Sequence, residues 1–357
     1  ALRALHFMDI TTLIPAHLRS MRPYVPTPPA RAGQIKLDAN ENLLPPSPRV
    51  LEAIATTPPN LYPDPDQNEL REALSEFVGV PKELILAGAG GDEILDLVAR
   101  LFLSAGDVAL DTPPTFGVFK ALADALNARY VPVQRHADFS LDVDAIERAV
   151  QANPGAKLLY VCNPNNPDGS ITSEETLLRV LKLPLVVLLD EAYIEFSGQK
   201  SLAGWVMAHP NLIVLRTFSK LAGLAALRVG YGIFSPQIAP HVWKIKQYFT
   251  PNAYAQAAAV AALQDQPHMQ AAARVIIGER NRMGEALSEL GWIHPLPSYT
   301  NFLLCKVDGN AKEVHAYLAQ RGILTRYFDR EGLREYVRIS VGRPEHTDEL
   351  VRALKEM

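Results

Sequence analysis

The stretch Pro184-Leu185-Val186-Val187-Leu188-Leu189-Asp190-Glu191-Ala192-Tyr193 sets a short, unbroken aliphatic run directly against an acidic pair. So short a run without polar alternation reads as a strand covered on both faces, because a solvent-facing side would need polar residues at every second position. Asp190 then emerges at the carboxyl end of a buried strand, where an unpaired charge is costly. The carboxylate either caps a turn or meets a cation.

Similar runs lie on either side of it, at Leu84 to Ala87, Val108 to Asp111, Tyr130 to Val133, Leu158 to Cys162, Leu212 to Arg216 and Gly230 to Phe234. Between them lie helical patterns. Ile94, Leu97, Val98, Leu101 and Phe102 recur at helical spacing, and Thr172 with Glu175 reads as a capping box before Leu177, Leu178 and Leu181. Strands alternating with helices predict an α/β fold with a mostly parallel sheet over residues 51–262. Residues 1–50, rich in proline, read as an extended arm and part of a small domain. Ala-rich 254–263 predicts a helix running on past Pro267, and residues 263–357 a smaller α/β domain.

The chain has 357 residues, 48% hydrophobic and 21% charged, with a net charge of −4. That balance excludes a disordered chain and gives no sign of a nucleic-acid partner. Its length allows roughly two domains of about 150 residues each. The two cysteines, Cys162 and Cys305, are too few for a disulfide framework and lack zinc-site spacing, which fits a reducing cytoplasm. The nine histidines are scattered, so no metal is expected. No apolar run approaches the roughly 20 residues that span a bilayer, and the N-terminus lacks a secretory h-region, so no membrane association is expected.

Thr217-Phe218-Ser219-Lys220 follows the strand ending at Arg216, with Arg228 eight residues beyond the lysine. A lone lysine there is ordinarily a solvated charge. This one precedes the small residues of Leu221-Ala222-Gly223-Leu224-Ala225-Ala226, which leave room for a bulky ring, while Thr217, Ser219 and Arg228 offer hydroxyls and a planar fork to a phosphate. Gly88-Ala89-Gly90-Gly91-Asp92-Glu93 joins a strand to a helix and is a candidate phosphate cradle or a plain turn. Asn166, within Cys162 to Gly169, either makes an Asx-turn or donates to a ligand oxygen, with Tyr193 on the other side. Phe116 can stack on a ring or pack in the core. A lysine able to form a Schiff base, a carboxylate for a pyridinium, donors for a phenolic oxygen and a phosphate site are what pyridoxal 5'-phosphate requires.

At these positions the chain resembles the fold-type I aminotransferases, and among them the histidinol-phosphate aminotransferase family, from about Tyr24 to the C-terminus. The resemblance implies the fold of PLP-dependent transferases of type I: a large domain whose sheet is covered by helices on both sides, plus a smaller α/β domain. It implies that Lys220 holds the cofactor, Asp190 pairs with the ring nitrogen, and Asn166 and Tyr193 meet the phenolic oxygen. Gly91, Asp92, Thr217, Ser219 and Arg228 match the phosphate site, and Tyr62 matches a tyrosine that reaches the phosphate from a neighbouring subunit, implying a homodimer. Tyr24, Asn40, Arg326 and Arg338 match positions contacting the amino donor, the other substrate being 2-oxoglutarate. Two positions depart: Phe116 stands where the family usually has tyrosine, and Asp168 replaces the threonine of Asn-Pro-Thr-Gly. An aromatic amino-acid aminotransferase and a PLP-dependent phosphothreonine decarboxylase are the rival activities; a doubly wound binding protein without chemistry is the rival outside enzymology.

Overall fold

The computed structural model describes residues 9–23 and 26–357. In chain order its strands are β1 (Ile35–Lys36), β2 (Ile85–Gly88), β3 (Val108–Asp111), β4 (Arg129–Pro132), β5 (Ala156–Cys162), β6 (Val186–Asp190), β7 (Leu212–Thr217), β8 (Gly230–Phe234), β9 (Ile293–Pro295), β10 (Phe302–Val307), β11 (Ile323–Leu324), β12 (Arg326–Tyr327) and β13 (Tyr336–Ser340). Seven of them form one sheet in the order β2-β8-β7-β6-β5-β3-β4. Its pairs from β7 to β4 are parallel, and β8 runs antiparallel to both its neighbours. Every residue of β2, β3 and β8 is buried, so helices cover both faces, as the unbroken aliphatic runs require.

A second sheet, β12-β13-β10-β9, is antiparallel throughout and carries its own apolar cluster around Phe302, Leu303, Val337 and Ile339. The N-terminal stretch joins this part. β1 pairs in parallel with β11, and the amide of Ser340 donates to the carbonyl of Leu37. The stretch is not wholly extended, however: Ile10–Leu13 forms a 3-10 turn and Ala16–Ser20 a short helix, with His17 Nε2 3.2 Å from the carbonyl of Ala125.

Two local expectations need correction. The alanine-rich helix Ala253–Gln264 does not run past Pro267; it stops at Asp265, and a new helix, Gln266–Ser288, begins with Pro267 in its first turn. In the first turn the missing proline N–H is harmless, whereas in a continuous helix it would forfeit a bond and clash with the preceding turn. The cap of Glu174–Val180 is Ser173, whose side chain accepts from Thr176 N; the amide of Thr172 instead donates to Asn163 Oδ1 at 2.7 Å.

The helix Gly91–Phe102 buries Ile94, Leu95, Leu97, Val98 and Ala99 and aims its N-terminus at the carboxyl ends of β6 and β7. Two glycines permit that approach. Gly90 has φ +84°, and a Cβ there would lie 2.5 Å from Arg228 Nη2; a Cβ on Gly230 would lie 2.5 Å from Gly91 N. The backbone of β8 therefore touches the helix start directly. Gly230→Ala is expected to lower the unfolding free energy by about 1–3 kcal/mol, as an overpacked site does. Urea denaturation with an unchanged m-value checks this; an unchanged midpoint would mean that the helix start is not wedged against β8.

Candidate active site

Two cavities, of 460 and 380 Å³, adjoin at the carboxyl ends of the large sheet's strands, where open α/β sheets place their ligands. Pro26, Ala39, Phe116, Asn166, Tyr193 and Lys220 border both. Lys220 thus stands at the junction, its Nζ 3.4 Å from the carbonyl of Ala39 and 5.6 Å from the Tyr193 ring centre.

The larger cavity is closed below by Asp190, the last residue of β6 and only 4% exposed. Its Oδ2 accepts from Tyr160 Oη at 2.7 Å and its Oδ1 from Ala192 N at 3.0 Å. Neither partner is a cation. Burial lifts the Asp190 carboxyl to a pKa of about 6 against those hydrogen bonds. Burial, with Arg338 adding repulsion, pushes Lys220 down to about 8, although Glu41, Asp92 and Asp190 oppose the shift. The cavity therefore holds an amine that is easily neutralised above a carboxylate lacking a full counter-charge.

At the far end of this cavity lie Gly91, Asp92, Thr217, Ser219 and Arg228. Arg228 takes a left-handed backbone, φ +54°, which swings its guanidinium to Asp92 Oδ2 at 3.0 Å. Ser219 N donates to Thr217 Oγ1 at 3.1 Å, fixing the turn that delivers Lys220. Helix-start amides, hydroxyls and a guanidinium converge there as an anion site.

On the side wall, Tyr193 Oη accepts from Asn40 Nδ2 at 3.1 Å and from Asn166 Nδ2 at 3.4 Å, which leaves the phenolic hydrogen free to turn toward the cavity. Burial raises the Tyr193 pKa, so the phenol keeps that hydrogen. Arg338 is committed within the chain: Nη1 donates to Asn166 Oδ1 and Nη2 to the carbonyl of Asp38, each at 2.6 Å.

The smaller cavity is the arginine-rich one, bordered by Arg326, Arg330 and Arg338 with the aromatic rings of Tyr327 and Phe328. Arg326 and Arg338 are register partners across β12 and β13, two like charges set directly opposite. Such a pair is unfavourable unless an anion lies between or beside it. Phe328 lies 5.5 Å from the Arg326 guanidinium and 5.2 Å from that of Arg330, so its ring supports both.

The sequence-predicted residues Asn40, Gly91, Asp92, Phe116, Asn166, Asp190, Tyr193, Thr217, Ser219, Lys220, Arg228, Arg326 and Arg338 all border these two cavities. Tyr62 does not. It is 80% exposed and stacked on Phe249 at 4.3 Å, away from both. Tyr24 lies outside the described residues. Sequence reasoning missed Tyr160, an aromatic interrupting the aliphatic strand before Cys162, and Arg330 with Phe328, whose stretch Arg326-Tyr-Phe-Asp-Arg330 carries alternating charges and rings that signal a lined turn.

The family model for class I and II aminotransferases matches residues 32–354. The chain is similar to the chloroplastic histidinol-phosphate aminotransferase of Nicotiana tabacum, 45% identical over 352 residues, covering 95% of this chain and 85% of the relative. It is equally similar to histidinol-phosphate aminotransferase of Roseiflexus castenholzii, 45% identical over 98% of this chain and 99% of the relative. Among solved structures, histidinol-phosphate aminotransferase of Sinorhizobium meliloti in complex with pyridoxal-5'-phosphate superposes with a TM-score of 0.85 at 32% identity, covering 90% of each chain.

A Lys220 pKa near 8 has a direct readout. Competitive acetylation followed by peptide mass spectrometry is expected to show Lys220 labelling climbing with pH and levelling above about 8, while solvated lysines keep climbing toward their ordinary 10.5. A Lys220 profile superposed on theirs would contradict the buried, depressed amine.

Proposed function

Because the chain belongs to the class I and II aminotransferases, we propose that it is a pyridoxal-phosphate enzyme transferring the amino group of L-histidinol phosphate to 2-oxoglutarate, giving imidazole-acetol phosphate and L-glutamate in histidine biosynthesis. The observation that carries the substrate reading is the register pairing of Arg326 with Arg338 beside Lys220, a cationic pocket suited to a donor bearing phosphate. A phosphate brings nearly two negative charges and three acceptor oxygens to that pair, whereas an aromatic amino acid brings a single carboxylate.

The donor set fits the cofactor. Asp190 is a buried carboxylate whose present partners are neutral, and a protonated ring nitrogen would supply the missing cation. Phe116 borders the cavity where a ring face would lie, and the helix start at Gly91 and Asp92, with Thr217, Ser219 and Arg228, suits the phosphate. When bound, pyridoxal phosphate supplies an electron sink for the bonds at the donor's α-carbon.

The chain's own residues do the rest. Lys220, depressed to about 8, is neutral in part near physiological pH and can bond to the cofactor aldehyde. With a donor bound in its place, Lys220 Nζ would be the base that takes the donor's α-proton and delivers it to the cofactor carbon that Lys220 would otherwise hold, which leaves the donor at the keto level. Asp190 would keep the ring nitrogen protonated, and Tyr160, by donating to Oδ2, keeps Asp190 aimed. Tyr193 and Asn166 would hold the phenolic oxygen from the side wall. Arg326 and Arg338 bind the anionic end of the donor in one half-reaction and a carboxylate of 2-oxoglutarate in the other, with Asn40 and Tyr24 as further donor contacts. Phe328 walls off solvent beside them.

Tyr62 completes the phosphate site from a second copy of the chain. Support comes from the exposed apolar patch it belongs to, where Leu61, Tyr248 and Phe249 are also exposed. A patch of this kind marks an interface. We assign 51–262 to the cofactor-binding domain, 263–357 to the small domain, and 1–50 to an arm that joins the small domain through β1. Both thiols, Cys162 and Cys305, are buried and unlinked, which suits the reducing cytoplasm. Among the described residues no helix is long and apolar enough to cross a membrane.

Steady-state assays with histidinol phosphate, phenylalanine, tyrosine and aspartate, each against 2-oxoglutarate, are expected to give the highest kcat/KM for histidinol phosphate; a higher value for either aromatic amino acid overturns the substrate. Arg326→Gln is expected to lower kcat/KM for histidinol phosphate by about 10- to 100-fold, the worth of a charged hydrogen bond, while changing that for phenylalanine less. Equal losses for both donors would remove Arg326 from phosphate recognition.

A further inference from the structure

Asp168 is a fully enclosed carboxylate, 2% exposed, in the loop after β5. Its Oδ1 accepts from Ser170 N at 2.8 Å, and its Oδ2 accepts from the side-chain amide of Asn165. Asn165, with no exposed surface, passes the connection on. Its Oδ1 accepts from Thr115 Oγ1 at 2.8 Å and its Nδ2 donates to the carbonyl of Pro114 at 3.0 Å. The chain Asp168, Asn165, Thr115 therefore ties together two separate loops. One continues directly into Asn166, which reaches Tyr193 and Arg338; the other continues into Phe116.

Asn166 and Phe116 border both cavities, one on the side wall and one beside the ring position. Neither side chain is anchored by β-structure of its own. We propose that Asp168 is a positioning residue that acts through Asn165 and Thr115 to hold Asn166 and Phe116 at a fixed separation around the cofactor ring. The carboxylate suits that place because Asn165 presents its Nδ2 donor to both Asp168 and the carbonyl of Pro114 and its acceptor to Thr115, so an acceptor at position 168 joins Pro114 in fixing the amide in that sense. A second demand on the carboxylate is the guanidinium of Arg135, buried and bonded to the carbonyls of Thr112 and Phe139; burial lowers the Arg135 pKa, and Asp168 leads the charges that oppose that shift.

The proposal rests on the pyridoxal-phosphate reading above, and the test separates the two. Asp168→Asn keeps the size but offers one acceptor where two donors, Asn165 Nδ2 and Ser170 N, face the carboxylate, so one of them loses its partner and the loop link slackens; Thr115→Val cuts the same chain at its other end without touching the charge beside Arg135. In the cofactor-loaded protein without donor, the pH at which the Lys220 chromophore changes its absorbance is expected to rise in both variants, because a displaced Asn166 stabilises the phenolate less and the imine nitrogen holds its proton longer. Cofactor affinity of the apo chain is expected to fall by about tenfold in each, and by about the same factor in the double variant, since both break one chain.

If Asp168→Asn proves too unstable to load, Thr115→Val alone decides by the same absorbance titration. An unchanged titration in Thr115→Val, or losses of affinity that multiply in the double variant, overturns the positioning role. A wild-type chain that takes up no cofactor would instead overturn the reading on which it rests.

Discussion

Taking a carboxylate out of water at the end of β6 is the constraint around which the rest of this molecule is arranged. Asp190 lies beneath a cavity with a phenol and an amide for company, and its pKa near 6 stands above the ordinary 3.8. The sign follows. A carboxyl group whose folded pKa is raised is favoured protonated, so raising the pH through about 6 works against the empty fold, and a cation placed over Asp190 removes that cost. Lys220, depressed to about 8, is the complementary group: close enough to feel Asp190, yet too far and too desolvated to neutralise it. The parallel strands β5, β6 and β7 end together, so these groups and Asn166 are delivered to one place by register alone.

The second cavity repeats the same logic with the opposite sign. Arg326 and Arg338 face one another across β12 and β13, and Arg338 spends its fork on Asn166 and on the carbonyl of Asp38. Excess positive charge beside the buried amine of Lys220 favours anionic ligands and further depresses the amine. One surplus thus serves both recognition and reactivity. The N-terminal stretch contributes Asn40, Ala39 and Asp38 to this wall because β1 is stitched to β11 and Leu37 to Ser340.

Much of this was legible in the sequence because chemistry at strand ends leaves a local trace. The aliphatic run before Asp190, the small residues after Lys220 and the glycines before Asp92 each announce a buried strand followed by a functional turn, and all of them reach the site. What escaped depends on partners distant in sequence. Tyr160 looks like one more core aromatic until its hydroxyl is seen on Asp190. The antiparallel direction of β8 cannot be read from its residues, since a fully buried strand has the same composition in either sense. The break at Asp265 was hidden because alanine-rich sequence favours a helix on both sides of it, and the link from Asp168 to Thr115 spans more than fifty residues. Tyr62 is the reverse case: a single chain shows where it stands but offers nothing to pair it with the cavity.

The most direct test of the account is to load the protein with pyridoxal phosphate, reduce it with borohydride and map the labelled peptide. The account predicts one phosphopyridoxyl group, on the nitrogen of Lys220. A label on any other lysine, or none, would contradict it.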